Sequence, residues 1–378
     1  MTRIRIAVLW RSILPGHNAG FRALSEIPGT DVYICFPRPP DSAPTDMRFY
    51  SWMTNAYSYN GLSSASNRAS HYLSSGGIDE TRLCQDLEEF QPDVYLVNSW
   101  HVAAYRRVLR RHSNKVRVLR IDNQWTGSLR QNIGAAFAGQ YIHAIYDAIL
   151  VGGERQVRFA KKIGFRDKQI WRGGYSCDRD QFSVVYHAVR RGELRYQKAF
   201  LFVGRLVKQK GVQYLAAAYR KYRACSTNPW PLVVCGIGPL AEVLEGEEGV
   251  EMQGYVQPDD LPEIFTRSSC LVLPSIREPT GLVIHEATAA GLAVICTETV
   301  GASVHLVQDR YNGYLVAPGD VDDLSEALTR YSKLSDGQRK TMSERSYMLA
   351  LQFTPKQFAE QFHSRVVELL EKRNQLSV

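Results

Sequence analysis

The chain has 378 residues, of which 44% are hydrophobic and 22% are charged, a composition typical of a soluble globular protein with two domains. Its net charge of +8 indicates an anionic partner, yet no zinc-finger, RNP-like or helix-turn-helix pattern accompanies it, so we expect no nucleic-acid binding. A nucleotide diphosphate or an anionic membrane surface would each account for the excess charge. No apolar run reaches the length of a transmembrane span, and Met1 to Gly20 lacks a signal peptide's cleavage pattern.

The pattern of the seven cysteines indicates the redox state of the chain and its cellular compartment. Their number is odd, and no two of them have the CxxC spacing. Four lie in strand-like apolar runs, where a reduced thiol behaves as a small hydrophobic side chain: Cys35, Cys235, Cys270 and Cys296. We therefore expect a cytoplasmic chain whose thiols are reduced.

The first half of the chain alternates strand and helix patterns, which predicts a parallel sheet with helices on both faces. The predicted strands are Ile4–Leu9, Asp31–Phe36, one within Pro92–His101, Val116–Ile121 and Ala148–Val151, and the predicted helices are Tyr105–Lys115 and Glu154–Ile163. Arg11–Gly20 is predicted to be the loop after the first strand. Because α/β folds bind ligands at the carboxyl ends of their strands, Gly16 is a candidate ligand contact, and a plain connector is the alternative.

Two further segments of this half have two interpretations each. The aromatic run Phe49–Met53, with Tyr57 and Tyr59, follows the proline-rich loop Pro37–Pro44. It is either core or a loop that stacks on sugars or touches a membrane. The helix Tyr105–Lys115 carries a stripe of five cations, which is either a solvated face or a contact with an anionic leaflet.

The second half shows its own strand and helix patterns after a linker predicted at Gly173–Phe182. The predicted strands lie in Phe200–Leu206 and Leu232–Gly238, and a further short strand ends at Gly254 to Val256. Asn312–Val316 reads as a hairpin-like turn because it begins with Asn-Gly. A helix is predicted over Ala317–Tyr331, with Asp320 or Asp322 as its N-cap, and a final helix over Pro355–Lys372.

Two carboxylates stand eight residues apart in the run Pro274–Gly291. The apolar residues before Pro274 indicate the end of a buried strand, and Leu282–Ala290 has helical spacing, so Glu278 lies in a strand-to-helix loop. Glu286 then lies about one turn into the helix. At such a junction, unpaired backbone N–H groups and the positive helix end favour anionic oxygens. Taken alone, the pair is equally compatible with a helix-start carboxylate beside a solvated one.

The run Pro274–Gly291 resembles the E-x7-E signature of the retaining glycosyltransferases of family 4, which have the GT-B fold. The residues that recur at the expected offsets are Pro274, Ser275, Gly281, Glu286, Ala287 and Gly291. The resemblance implies an α/β protein of two Rossmann-like, doubly wound domains that face a central cleft. It also implies that Glu278 meets the transferred sugar and acts in catalysis, and that Glu286 holds the ribose of the nucleotide. The N–H groups of the turn would hold sugar and phosphate oxygens at Thr280, Gly281 and Leu282.

A second signature of the same family is similar to the run FVGRLVKQKG. There the resemblance implies that Arg205 and Lys210 clasp the donor diphosphate, since a guanidinium and an ammonium stabilise the negative leaving group. The strand that ends in Gly238 would close on the nucleotide, and Tyr255 would lie near the base. Gly16 matches the family's glycine-rich turn only loosely.

One segment departs from the family pattern. The family's catalytic His would fall at Asn98, and this chain has a His three residues later, at His101. An asparagine can hydrogen-bond a hydroxyl but cannot take its proton at neutral pH. His101 is therefore the candidate catalytic residue of the first half, and a structural histidine is the alternative.

Together these features predict a retaining glycosyltransferase that moves a sugar from a nucleotide-diphospho-sugar, UDP- or GDP-linked, to a hydroxyl of a glycan, lipid-linked or small-molecule acceptor. No cofactor is expected, and no metal, since the Asp-x-Asp motif of the other glycosyltransferase fold is missing. Residues 1–175 are the expected acceptor domain, with helix 355–378 packing back on it, and 176–354 the linker and donor domain. We expect the chain in the cytoplasm, peripheral at the inner membrane face. A nucleotide-sugar epimerase of this fold and a non-catalytic sugar- or nucleotide-binding scaffold are the alternatives, and the sugar, base and acceptor stay open.

Overall fold

The structure is a computed structural model that describes residues 3–10, 15–35, 73–74, 77–78, 80–98, 100–174 and 176–376. The proline-rich loop Pro37–Pro44 and the aromatic residues between Phe49 and Tyr59 lie outside the described residues. Contacts within the chain divide it into a first unit, Met1–Cys177 with Pro355–Val378, and a second unit, Asp178–Thr354. Within the described ranges, no helix combines the length and apolarity needed to cross a membrane.

The first unit is built on a six-stranded parallel sheet with the strand order β2-β1-β5-β6-β7-β8. Its strands are β1 (Ile4–Leu9), β2 (Thr30–Cys35), β5 (Val94–Asn98), β6 (Val116–Ile121), β7 (Ala148–Val151) and β8 (Ile170–Trp171). A short antiparallel ribbon pairs β3 (Leu73–Ser74) with β4 (Gly77–Ile78). Alternate residues of each strand enter two separate hydrophobic clusters, one on each face of the sheet.

Six helices accompany the sheet in the described part of this unit. They are α1 (Pro15–Ser25), α2 (Glu80–Phe90), α3 (Ala103–Arg111), α4 (Leu129–Ala136), α5 (Glu154–Lys162) and the C-terminal helix (Pro355–Leu376). A π-helix, Gly139–His143, continues α4 towards β7. The strands β1, β6 and β7 and the start of α5 have the bounds that the sequence predicts.

The C-terminal helix packs on α1. Its buried Phe358, Phe362 and Val366 share a hydrophobic cluster with Phe21 of α1 and Trp171 of β8. The rings of Trp171 and Phe362 meet edge to face, with centroids 5.7 Å apart. These contacts explain why the last residues of the chain belong to the first unit.

Two predicted loops or turns are wrong, and a predicted linker is partly helical. α1 begins at Pro15, inside the predicted loop Arg11–Gly20, because proline suits the first turn of a helix as well as a loop. The predicted linker Gly173–Phe182 contains the boundary between the two units, after Cys177, but its last four residues belong to a helix that begins at Arg179. Asn312–Val316 contains a strand rather than a hairpin turn. A Cβ at Gly313 would lie 1.8 Å from the carbonyl oxygen of Val294, so this glycine allows two parallel strands to approach.

The second unit repeats the architecture with a six-stranded parallel sheet, in the order β11-β10-β9-β12-β13-β14. Its strands are β9 (Phe200–Val203), β10 (Leu232–Cys235), β11 (Val250–Gly254), β12 (Cys270–Leu273), β13 (Ala293–Thr297) and β14 (Gly313–Val316). Its helices are α6 (Arg179–Arg190), α7 (Val212–Ala224), α8 (Leu261–Thr266), α9 (Leu282–Ala289), α10 (Ser303–Leu306), α11 (Val321–Ser332) and α12 (Asp336–Ala350). Two parallel sheets with flanking helices confirm the prediction of two Rossmann-like α/β domains.

Side-chain caps set the start of two of these helices. Asp320 accepts hydrogen bonds from the N–H groups of Asp322 and Asp323 at 2.9 and 3.0 Å, so α11 begins at Val321, four residues after the predicted start. Asp320, one of the two predicted N-caps, holds that position. Ser335 and Gln338 form a capping box at α12, a helix that the sequence analysis did not predict.

Candidate functional site

Three loops meet at the carboxyl edge of the second sheet. β9 leads into the loop Gly204–Gly211, β12 into Pro274–Gly281, and β13 into Glu298–Ala302. Because β9, β12 and β13 are adjacent and parallel, their carboxyl ends lie side by side. This edge is where open α/β sheets bind ligands, and it carries most of the residues singled out by the sequence.

Glu278 is held on both of its carboxylate oxygens. Its Oε2 forms an ion pair with Nζ of Lys210, and both side chains are largely buried, with 13% and 18% of their surface exposed. Its Oε1 accepts a hydrogen bond of 3.2 Å from the N–H of Gly281. The structure therefore joins two predicted site residues that lie 68 positions apart in the chain.

The loop that carries Glu278 is fastened to the loop after β13. The carbonyl oxygens of Glu278 and Thr280 accept hydrogen bonds from the N–H groups of Gly301 and Ala302, at 2.9 and 2.7 Å. In addition, the hydroxyls of Thr297 and Thr299 both donate to the carbonyl oxygen of Ser275, at 2.5 and 2.9 Å. These four bonds fix the position of the carboxylate by fixing its backbone. The sequence analysis did not identify the second loop as a support for this carboxylate.

Gly211 is a position where only glycine fits. Its φ of +71° is left-handed, and a Cβ there would lie 2.0 Å from the carbonyl oxygen of Pro274. The residue after Lys210 therefore packs directly against the start of the Glu278 loop. A glycine is required directly after Lys210 because the two loops touch at this point.

Gly211→Ala is expected to lower the free energy of unfolding by about 3 kcal/mol or more, because a left-handed backbone and a clash add together. Gly246→Ala is the matched control. Gly246 has a φ of +76° but nothing within 4 Å of its Cβ position. Alanine there should therefore lower the free energy of unfolding by only about 1–2 kcal/mol. Urea unfolding of both variants measures the difference. Equal losses would show that the contact with Pro274 is unimportant.

Glu286 is the fifth of the eight residues of α9, where burial raises the pKa of its carboxyl group to about 7. No ion pair or hydrogen bond to its carboxylate is found in the part of the chain that the structure describes. A half-buried acid without a protein partner is free to accept hydrogen bonds from a ligand. The sequence predicts the helical position of Glu286, whereas its burial depends on packing that spacing alone does not reveal.

Arg205 follows β9 with its side chain exposed, and its guanidinium makes no ion pair with any described residue. The loop after β10 lies directly against this segment. A Cβ at Gly236 would lie 1.9 Å from the carbonyl oxygen of Gly204, and one at Gly238 would lie 2.4 Å from that of Leu206. Gly238 is therefore a backbone contact to the Arg205 loop.

Large apolar side chains are exposed at the same edge of the sheet. Ile237 is 50% exposed after β10, Tyr255 is 38% exposed after β11, and Ile276 is 37% exposed after β12. The sequence analysis named only Tyr255. The position of Ile237 between two glycines at a strand end is the signal that could have identified it. Exposed apolar groups at a polar edge are suited to stacking on a planar ligand.

The candidates of the first unit lie apart from these in sequence and belong to the other sheet. Asn98 is the last residue of β5 and is half-buried, while His101 is exposed in the turn before α3. Gly16 lies in the first turn of α1 rather than in a loop. All three follow the carboxyl ends of β1 or β5, as the sequence predicts.

A buried arginine near this edge was not predicted. Arg120, only 2% exposed, forms an ion pair with Asp122 at 2.9 Å and lies 5.1 Å from the ring centre of Trp10. Burial and the charge of Arg120 hold the pKa of His17 well below its usual range. An alternating strand pattern places an arginine such as Arg120 in solvent, which is why the sequence analysis missed it.

Most cations of the stripe on α3 already form ion pairs or hydrogen bonds with residues of the first unit. Arg107 and Arg111 pair with Glu80 of α2, at 2.6 and 3.7 Å, and Arg106 donates to the carbonyl oxygen of Trp100 at 2.9 Å. Lys115, just beyond the helix, lies 3.8 Å from Asp93. These contacts favour the solvated-face interpretation of this helix over a contact with lipid.

Comparisons with known proteins identify relatives of part of this chain. Residues 190–348 match the sequence model of the glycosyl transferases group 1 family. An uncharacterized glycosyltransferase of Methanocaldococcus jannaschii is 33% identical over 141 residues, which cover 35% of each chain. The O-antigen chain mannosyltransferase B of Escherichia coli is 28% identical over 174 residues, 44% of this chain and 45% of that protein. The chain thus spans less than half the length of these curated relatives.

A solved structure resembles this chain over nearly its whole length. Anabaena HepE, solved in complex with UDP, superposes with a TM-score of 0.69 over 97% of this chain and 100% of that chain, at 15% sequence identity. This likeness confirms the GT-B fold class of two Rossmann-like domains. At this identity it concerns the fold alone.

Proposed function

We propose that this chain, which carries a glycosyl transferases group 1 domain at residues 190–348, is a retaining glycosyltransferase that uses a nucleotide-diphospho-sugar. The observation that carries the proposal is the pairing of Glu278 with Lys210 and with the N–H of Gly281 at the carboxyl edge of the second sheet. A carboxylate and a cation held together at a ligand-binding edge suit a substrate that has both sugar hydroxyls and phosphates.

The donor is held by groups with complementary chemistry. Arg205 and Lys210 bind the diphosphate, and the N–H groups at the start of α9 add donors for its oxygens. Glu286 accepts hydrogen bonds from the ribose hydroxyls, which a half-buried carboxylate without a protein partner can do. The exposed rings and aliphatic chains of Tyr255 and Ile237 pack on the base.

The transfer step follows from these positions. The bond between the anomeric carbon and the diphosphate oxygen breaks, and the leaving electron pair is stabilised by Arg205 and Lys210. The acceptor oxygen forms its bond to the anomeric carbon on the same face, and its proton passes to the departing diphosphate oxygen. Glu278 orients the sugar and stabilises the positive charge that develops on its ring. The two cations supply the charge compensation, so that the step as proposed uses no metal ion.

The acceptor is assigned to the first unit, where His101 and Asn98 follow β5. One relative bears the name of an O-antigen chain mannosyltransferase, which supports a glycan or lipid-linked glycan as the acceptor. The nucleotide is uridine or guanosine diphosphate. The identity of the nucleotide is the part of the proposal that a ligand panel addresses first.

The panel measures thermal stability with uridine, guanosine and adenosine diphosphates and with their sugars. A true donor at 100 times its dissociation constant should stabilise the fold by about 2.7 kcal/mol. An enzyme should also hydrolyse that donor slowly without acceptor, whereas a non-catalytic scaffold should not. An epimerase would convert the sugar while leaving the bond to the diphosphate in place.

Arg205→Ala is expected to weaken binding of the nucleoside diphosphate at least tenfold, because a charge-assisted bond contributes about 1.5–3 kcal/mol. Lys208→Ala is the matched control, since Lys208 is an exposed cation in the same loop. Titration calorimetry of both variants with the preferred diphosphate provides the measurement. Unchanged affinity in Arg205→Ala would remove this residue from the donor site.

A further inference from the structure

A cavity of about 800 Å³ opens at the amino edge of the first sheet. Its lining includes Ala148, the first residue of β7, and Gln169, which directly precedes β8. The strands of this sheet are parallel, so their carboxyl ends, which Asn98 and His101 follow, lie at the opposite edge. The volume of the cavity suits a small-molecule site. The cavity is therefore separate from the residues assigned to the acceptor.

Cations outnumber acids among the described residues that line this cavity. The five cations are Lys162, Arg166, Lys168, Arg365 and Lys372, and the two acids are Asp147 and Glu368. Asp147 forms an ion pair with Arg373 at 2.7 Å. Glu368 forms ion pairs with Arg365 and Lys372, at 3.2 and 2.5 Å. Both acids are thus neutralised by cations of the C-terminal helix, and the lining keeps an excess of positive charge.

Three cations of the lining carry this excess. Lys162, Arg166 and Lys168 are exposed, and none of them has an ion-pair partner within the described ranges. Asp167 is the one acid in the segment 163–169, and it pairs with Lys161 at 2.8 Å. It therefore does not offset the charge of its two neighbours. Uncompensated cations around one cavity create a positive potential that favours an anion.

Hydrogen bonds between its segments fix the walls of the cavity. The side chain of Gln169 accepts a bond from the N–H of Arg166 at 3.2 Å and donates one to the carbonyl oxygen of Asp147 at 3.1 Å. Nε2 of His143, in the π-helix, donates to the carbonyl oxygen of Ile163 at 2.7 Å. These three bonds connect the π-helix, the end of α5, the start of β7 and the loop before β8. A site whose frame is already ordered loses less freedom when a ligand binds.

We propose that this cavity binds a small soluble molecule that carries two or more phosphate groups. Phosphate oxygens accept charge-assisted hydrogen bonds from lysine and arginine, and the guanidinium of Arg166 can bind two such oxygens at once. A concave site surrounded by cations encloses a small polyanion, whereas an extended polyanion requires a continuous basic track. The ligand is distinct from the donor and from the acceptor, so this inference does not rest on the proposed function.

The test is titration calorimetry of the full chain with inorganic tripolyphosphate, at an ionic strength of about 0.15 M. This probe has linked phosphates but neither a sugar nor a base, and inorganic phosphate should bind at least tenfold more weakly. The variant with Arg166→Gln and Lys168→Gln should bind tripolyphosphate at least tenfold more weakly than the wild type, because it loses charge-assisted bonds. The matched control is Arg110→Gln with Lys340→Gln, which removes one exposed arginine and one exposed lysine elsewhere. Its affinity should stay close to that of the wild type.

Binding at the donor site is measured separately, because Arg205 and Lys210 can also attract tripolyphosphate. Both double variants are therefore made again in a chain that carries Arg205→Ala, and the tenfold difference between them should persist there. The variant with Arg166→Gln and Lys168→Gln should keep the wild-type affinity for the nucleoside diphosphate. It should also keep the wild-type rate of donor hydrolysis when tripolyphosphate is absent. Failure of the donor-site proposal would leave the calorimetry of the cavity unchanged.

Three results would overturn the proposal. The first is a folded wild-type chain that does not bind tripolyphosphate at about 1 mM. The second is an equal loss of affinity in the two double variants, which would show that net charge matters and the cavity does not. The third is the disappearance of all tripolyphosphate binding in Arg205→Ala, which would assign that binding to the donor site. If the variant with Arg166→Gln and Lys168→Gln does not fold, Lys162→Gln takes its place, since Lys162 is an exposed residue of the same lining.

Discussion

Replacing Glu278 by glutamine is expected to lower turnover about 10²–10³-fold, while affinity for the bare nucleoside diphosphate stays at or above that of the wild type. The sugar ring gains positive charge as its bond to the diphosphate breaks, and a nearby carboxylate stabilises that charge more than the ground state. Glutamine retains the shape and loses the charge. It also releases Lys210 from its ion pair, so the ammonium becomes fully available to the phosphates.

The measurement combines a transfer or donor-hydrolysis rate with calorimetry of the diphosphate. Glu263→Gln, at an exposed residue of α8, is a control that should leave both quantities unchanged. A Glu278→Gln variant that loses diphosphate affinity with little loss of turnover would mean that Glu278 binds the nucleotide rather than the reacting sugar.

Glu286→Gln is expected to change stability and affinity in opposite directions at alkaline pH. Burial raises the pKa of Glu286 to about 7, above the value near 4.5 of the free group. The folded state therefore holds this proton more tightly than the unfolded state, and its contribution to stability is full below pH 4.5. The contribution disappears as the pH rises through 7, because the buried carboxyl group must then ionise.

Above pH 8 the glutamine variant should accordingly be more stable than the wild type by about 2–3 kcal/mol, and near pH 4.5 the two should be similar. Affinity for both the nucleotide-sugar and the diphosphate should fall about tenfold or more, because the ribose contact is the same before and after transfer. Urea unfolding at both pH values and calorimetry at pH 8 measure the two effects.

His285, the neighbouring residue, titrates in the opposite direction. Burial, with the charge of His305 nearby, lowers the pKa of His285 to about 4, so its contribution to stability disappears as the pH falls from 6.5 towards 4. This loss affects the wild type and the Glu286→Gln variant alike, so it cancels when the two are compared. If the free energies of unfolding of the wild type and of the Glu286→Gln variant changed with pH in parallel, the raised pKa of the Glu286 carboxyl group would be contradicted.

The parts of the fold that were predictable are those with a local cause. The strands β1, β6 and β7 were predicted to the residue because aliphatic and β-branched residues dominate each of them, as typical strands require. The motif around Glu278 was predictable because its residue types recur at fixed offsets. The error at Pro15 arose because proline and glycine read as breakers, although proline also begins helices.

The features that could not be predicted depend on contacts between segments that are distant in the sequence. Gly313 looks like a turn residue until the carbonyl of Val294 is placed beside it. The burial of Arg120 beside Trp10 joins residues that are far apart in the chain. The exposure of Leu129, Ile133 and Phe137 was equally hidden, since Leu, Ile and Phe at helical spacing normally indicate a core-facing helix. α12, with its Ser335 and Gln338 capping box, was missed despite a local signal.

The C-terminal helix has a consequence for synthesis of the chain. Residues 178–354 form one continuous unit, which can complete its core as soon as they have left the ribosome. The first unit has to wait, because Phe358, Phe362 and Val366 cover a cluster that includes Phe21 of α1. The segment translated first is therefore completed last. During that interval the nascent chain exposes the apolar face of α1, and this is the stage at which it most needs protection from aggregation.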